Sequence, residues 1–219
     1  MELSGFYGLI YKVCVWIMRL AYVNILWIVF TLLGLVIFGL GPATSAMFSI
    51  SRKWIMGEES VPIFRTFLAQ FRADFRKIFY VSAILFSVGT LLVANLMFFT
   101  KGDVLLLQIA KVLTVNVAIV YGIILIYIFP VFCHFELKTL QYLKQSFFIG
   151  FLHPAFTLFL VLGMLGMGFV FLKIPGLMVF FSGSSFSLWL TWGAHKSFRK
   201  LESKKDRLRV AAPSNRTAS

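Results

Sequence analysis

Apolar residues run in long blocks along this chain, and charged residues fall almost entirely between the blocks. A helix needs about 20 apolar residues to cross about 30 Å of hydrocarbon, and five blocks meet that length. Spans are therefore predicted at residues 22–40, 80–99, 112–132, 156–172 and 177–193, with Lys101, Gly102 and Asp103 marking a turn after the second. Ahead of them, residues 1–20 mix apolar side chains with Lys12 and Arg19. Their unbroken stretch is too short to span, which predicts an interfacial helix. Residues 22–40 also have the basic flank and following small residues of a signal peptide, but the run is long for a cleaved segment and reads as an anchor.

The connectors carry patterns of their own. In residues 61–79, Phe64, Phe67, Leu68, Phe71, Phe75 and Ile78 share one helical face, flanked by Arg65, Arg72 and Arg76. That spacing predicts an amphipathic interfacial helix with arginines at headgroup level. A shorter helix precedes it, with Pro42 near its start, Arg52 and Lys53 in its last turn and Gly57 past its end. Residues 135–150 repeat the theme more weakly, with Leu140, Leu143 and Phe147 on one side and Gln141, Lys144 and Gln145 on others. A duplication of span, amphipathic helix and span, with a fifth helix appended, is one reading of this recurrence.

Composition closes off the soluble classes. The chain has 219 residues, 60% of them hydrophobic and 13% charged, and no water-soluble surface is covered by so little charge. The fold class is accordingly an all-α membrane protein. Residues 1–194 are read as one transmembrane helical domain, and residues 195–219 as a basic, disordered tail. The net charge of +13 does not point to nucleic acid, because the basic residues flank the spans and meet lipid headgroups there. Of the 21 Lys and Arg, 6 lie in residues 41–79, 2 in 133–153 and 8 in 195–219, so these segments are expected on the cytoplasmic side of the membrane. With five spans the N-terminus falls outside, although Lys12 and Arg19 pull the other way.

Candidate chemistry is sparse. There is no GxxxxGK[ST] loop, HExxH or GxSxG, so neither a nucleotide motor nor a familiar hydrolase is encoded, and no enzyme activity is expected. Cys14 and Cys133 lie far apart, while Cys133, His134 and Glu136 are too crowded on one helix end to share an ion, so no metal or cofactor is expected. Asn95, Thr114, Asn116 and Tyr121 sit inside spans, where they either bond neighbouring helices or line a path. The small residues Gly163, Gly166 and Gly168, and Ser182, Gly183, Ser184, Ser185 and Ser187, suit internal helix packing or the seam of a homo-oligomer.

One combination is more specific. Asn24, Leu26 and Trp27 are followed by Gly41, Pro42, Ala43 and Thr44, then by Arg52, Lys53, Gly57 and Glu58, with Phe67, Phe71 and Phe75 beyond. This pattern resembles the YesL-like family of bacterial integral membrane proteins, a domain of unknown function, and the likeness covers most of the chain except the tail. The resemblance implies a role linked to carbohydrate uptake, since such proteins are found beside sugar-transporter components. Three functions are expected in turn. The first is an accessory or regulatory subunit docking on sugar-importer membrane subunits through the region of Arg52 and Phe71. The second is a permease in its own right, and the third a structural or lipid-sensing protein whose partner is the bilayer.

Overall fold

The computed structural model describes residues 6–99 and 105–211; the expected turn at Lys101, Gly102 and Asp103 and residues 1–5 and 212–219 lie outside that range. Its elements are all helical: α1 (Phe6–Leu33), α2 (Leu40–Ile55), α3 (Ile63–Ala73), α4 (Phe75–Phe99), α5 (Leu105–His134), α6 (Thr139–Leu152), α7 (Pro154–Lys173) and α8 (Pro175–Ala211). Local chemistry sets several of their ends. Gly57, at φ +93°, terminates α2 in the left-handed region that glycine tolerates. Pro154 opens α7 at a position whose N–H has no helical partner in any case. Gln141 accepts the Lys138 N–H at 3.1 Å and closes the start of α6.

Among the described residues, four helices are long and apolar enough to cross a bilayer: Tyr7–Leu33, Phe75–Phe98, Leu105–His134 and Pro154–Lys173. Their length and apolarity make this a multi-pass membrane protein. The fifth span expected at residues 177–193 is not among them, because serines interrupt its apolar run. The packing explains how the serines are tolerated. α8 lies against α1, α2, α5 and α7, and Ser184 and Ser187 are buried among them. A helix enclosed by other helices has less need of a lipid-compatible surface.

At the centre of the molecule stands α2, touching α1, α3, α4, α5 and α8. One apolar cluster joins Val23 and Leu26 of α1 to Ala43, Ala46, Met47, Ile50 and Trp54 of α2 and Phe67 of α3. A second gathers Ile78, Val81, Tyr127, Val131, Tyr142, Ile149 and Leu160, and α2 reaches it through Phe48. The helix that the sequence pattern presents as a cytoplasmic connector is thus the shared wall of both cores.

Several boundaries differ from the sequence expectations. The pattern separates residues 1–20 and 22–40 into an interfacial helix and a span, whereas α1 runs unbroken through both from Phe6 to Leu33. Arg19 is accommodated by placing its guanidinium 5.6 Å from the centre of the Trp16 ring. The chain then reverses within residues 34–39. A Cβ on Gly34 would lie 2.3 Å from the Gly39 Cα, and one on Gly39 would lie 2.6 Å from the Thr31 carbonyl oxygen, so the reversal requires glycine at both positions. α2 then runs back alongside α1, with Trp27 bonding Thr44 and Trp16 meeting Trp54, so the two helices form an antiparallel hairpin.

The amphipathic helix expected over residues 61–79 is also divided. α3 ends at Asp74, whose N–H bonds the Gln70 carbonyl at 3.3 Å and whose carboxylate accepts from the Gln70 side chain. Phe75 and Arg76 therefore open α4. In α6 the buried face carries Tyr142, Ser146, Ile149 and Gly150; of the face expected from Leu140, Leu143 and Phe147, Leu143 packs against the second core and Phe147 is half-buried, while Leu140 is 69% exposed. The part of the tail expected to be disordered continues α8 to Ala211, consistent with its Leu, Lys, Arg and Glu content.

Candidate functional site

Buried near the middle of α1, Asn24 has no exposed surface. Its Nδ2–H donates to the Val179 carbonyl at 2.7 Å, and its Oδ1 accepts from the Ser184 N–H at 3.1 Å. One side chain thus ties α1 to two points along α8. Gly183 permits this approach, since a Cβ there would stand 2.9 Å from the Asn24 Oδ1. One turn further along α1, the Trp27 indole N–H donates to the Thr44 hydroxyl at 3.0 Å, which itself donates to the Leu40 carbonyl at 2.6 Å.

The remaining small residues of the same motif bring α2 close to its neighbours. A Cβ on Gly41 would fall 2.0 Å from the Ser82 Oγ of α4, while Pro42 and Ala43 are buried. Asn24, Trp27, Gly41, Pro42, Ala43 and Thr44 consequently converge on the junction of α1, α2, α4 and α8. They meet this chain's own helices there and offer little surface to a partner. Beside them, Ser51 and Ser187 share a hydrogen bond of 2.8 Å between α2 and α8 that sequence reasoning did not single out. Its only sequence signal was the small-residue face around Ser187, which the structure uses for internal packing.

Arg52 and Lys53 part company. The half-buried Arg52 turns inward and donates from Nη1 to the Cys133 carbonyl at 2.9 Å, satisfying one of the acceptors left over at the end of α5. Pro130 lies within that last stretch of α5, and Cys133 directs its thiol toward the Ser45 carbonyl at 3.5 Å. Lys53 points outward and lies 4.0 Å from Glu58.

α3 lies against α2 with Phe67 wholly buried and Phe71 half-buried. The Phe30 ring of α1 sits 5.2 Å from Phe67 and 5.0 Å from Phe71, which fixes that face. Phe64, Arg65, Arg72 and Arg76 are exposed, and Phe75, 5.5 Å from Phe71, continues the aromatic row into α4. Phe67 and Phe71 thus face the helix bundle and Arg65, Arg72 and Arg76 face away from it, while Phe64, expected on the same face as Phe67, is exposed.

Three of the polar groups expected inside the spans are bonded to backbone carbonyls, whereas the buried hydroxyls of Thr31, Ser45 and Ser82 have no partner. Asn116 donates to the Val112 carbonyl, Thr114 to that of Ala110 and Tyr121 to that of Leu85, each at 2.8 Å. Among the described residues are three open apolar grooves, of about 620 Å³ between α4 and α5, about 430 Å³ between α5 and α7, and about 410 Å³ between α7 and α8. Grooves of that lining suit lipid chains better than a hydrophilic solute.

A family model described as a protein of unknown function, DUF624, matches residues 20–96, the stretch holding the Asn24 clamp, α2 and α3. The relatives agree with it over nearly the whole length. The chain is 37% identical to the uncharacterized protein YesL of Bacillus subtilis (strain 168) over 198 residues, covering 90% of this chain and 93% of YesL. The chain belongs to the YesL-like DUF624 family. It is also 34% identical to YteU over 187 residues, 85% of this chain and 84% of YteU, and 32% identical to YesV over 193 residues, 88% and 93%, both from the same organism. No solved structure matches.

Proposed function

We propose that this DUF624 membrane protein is a non-enzymatic accessory component that docks on another membrane protein through its basic end. The observation that carries the reading is the exposure of Phe64, Arg65, Arg72 and Arg76 around a helix whose other face is anchored by Phe67. Such a surface offers an aromatic contact and a guanidinium fork to carboxylates on a partner. The apolar lining of the grooves between the helices weighs against a hydrophilic path through this chain alone. A place beside sugar importers is carried by the family resemblance, and importer subunits are the partners to look for first.

We infer in addition that both ends of the chain lie on the cytoplasmic side of a bacterial membrane. The support is the antiparallel register of α1 and α2. Trp27 bonds Thr44 and Trp16 meets Trp54, so Lys12 and Arg19 come level with Arg52 and Lys53. All these charges then obey the positive-inside rule together. Between Arg19 and Arg52 the chain carries no charge, and the intervening hairpin points its apolar turn into or across the hydrocarbon.

The docking reading is tested by affinity purification of the tagged protein from its host in mild detergent, with mass spectrometry of the co-purifying proteins. Importer subunits recovered with the wild type and lost with an Arg65→Glu, Arg72→Glu, Arg76→Glu variant support it. Recovery of the protein alone overturns it, and substrate uptake by vesicles holding only this chain would establish a permease instead.

A further inference from the structure

Arg52, Pro130, His134, Thr191, Ala194 and His195 enclose a cavity of about 10 Å³ between α2, α5 and α8, room for a single water molecule or one oxygen of a larger group. Three basic side chains, one from each helix, converge on it. None of the three is fully buried, so the cavity opens to the surface at the end of the molecule where α2 and α5 finish. Arg52 spends Nη1 on the Cys133 carbonyl, but its Nε is buried and has no hydrogen-bond partner. A guanidinium donor left unpaired away from water is costly, and an anionic oxygen is the acceptor that best relieves it. The His195 imidazole N–H at the rim would supply a further donor.

We propose that this pocket binds a phosphate group, seating one oxygen against the Arg52 Nε while the others remain at the opening beside His134 and His195. The cavity is too small for a whole phosphate, which restricts the ligand to an oxyanion approaching from outside with one oxygen leading. Two sources present that chemistry at this depth, the headgroup of an anionic phospholipid and free inorganic phosphate. Basic pockets between membrane helices commonly take lipid headgroups, and here the pocket lies at the end of the apolar helices where headgroups are found. The site is separate from the exposed arginines of α3, and its occupancy does not depend on a protein partner.

The test uses the full chain in a maltoside detergent, which carries no phosphate. In one arm inorganic phosphate is titrated by calorimetry; in the other, phosphatidylglycerol or phosphatidylcholine is added and retained lipid is counted by native mass spectrometry. Saturable binding in either arm is expected, weakened at least tenfold by Arg52→Gln and by His195→Gln. Lys196 holds its ammonium over Trp192, so Lys196→Gln, which removes a charge beside the pocket, leaves binding within twofold. His195→Gln keeps the test informative if Arg52→Gln disturbs the α5 contact and fails to fold. Binding by phosphate identifies the free ion, and retention of phosphatidylglycerol over phosphatidylcholine identifies the headgroup. No saturable binding in either arm, or equal weakening by Lys196→Gln, overturns the proposal.

Discussion

The Trp16 and Trp54 rings meet edge to face, with 5.4 Å between their centroids, and the contact holds the start of α1 against the end of α2. At the opposite end of the same helix pair, Gly34 and Gly39 touch backbone to backbone. Together they define a hairpin along its full length, with its charges at the open end and its apolar residues at the tip. The backbone of the turn is satisfied from within: the N–H groups of Gly34, Val36, Phe38 and Leu40 bond carbonyls of Phe30, Thr31, Gly34 and Val36 at 2.9–3.1 Å. A turn so paired can sit in hydrocarbon, where unpaired backbone groups cost several kcal/mol each.

The proposed topology can be read with reporter fusions. A green fluorescent protein fusion at the N-terminus should fluoresce, and an alkaline phosphatase fusion at the same place should be inactive, matching the pair of fusions at the C-terminus. Active phosphatase at the N-terminus alone would restore an odd number of crossings.

The turn itself should be intolerant of side chains. Gly39→Ala places a methyl group against the Thr31 and Phe30 carbonyl oxygens, at 2.6 and 2.7 Å, and should destabilise the fold by about 1–3 kcal/mol, the usual cost of overpacking. Leu35 and Val36, at φ 53° and 62°, already hold left-handed backbone there and leave little room for compensation. A thermal melt in detergent reads the loss, and an unchanged midpoint would mean that the turn relaxes.

Removal of the Asn24 side chain should be comparably harmful. Asn24→Ala leaves the Val179 carbonyl and the Ser184 N–H without their side-chain partner in the interior, at an expected cost of about 1–3 kcal/mol. Asn24→Asp should be worse, because it puts a carboxylate opposite the Val179 carbonyl in a site with no cation beside it. Equal melting temperatures for Asn24→Asp and the wild type would show that the clamp contributes nothing to stability.

The α3 arginines should behave in the opposite way. Arg65, Arg72 and Arg76 are exposed, so replacing all three by glutamate should shift the melting temperature little while abolishing partner recovery. A large drop in stability would assign them to the fold, and unchanged recovery would place docking elsewhere.

Length and apolarity alone announced α4, α5 and α7, since a run of lipid-compatible side chains is a local property and a membrane leaves it few alternatives. The aromatic face of residues 64–75 was equally legible, because helical spacing is written in the order of residues. The motif around Asn24 and residues 41–44 was visible as a pattern, but its meaning was not. Nothing in the order of residues says that an asparagine in α1 will bond the backbone of α8, and the same amide could have lined a path. Packing also decided the direction of Arg52, inward to Cys133, while its neighbour Lys53 faces Glu58.

Composition and hydrophobic patterning therefore determined that this is an all-helical membrane protein, because the transfer of apolar side chains into lipid depends on each segment by itself. Tertiary structure decided that residues 6–55 form a hairpin rather than an interfacial helix, a span and a connector. It also decided that α2 is the centre of the molecule. Those outcomes depend on contacts between residues distant in the chain, Gly34 against Gly39, Gly41 against Ser82 and Asn24 against Ser184, whose energies arise only when the helices meet.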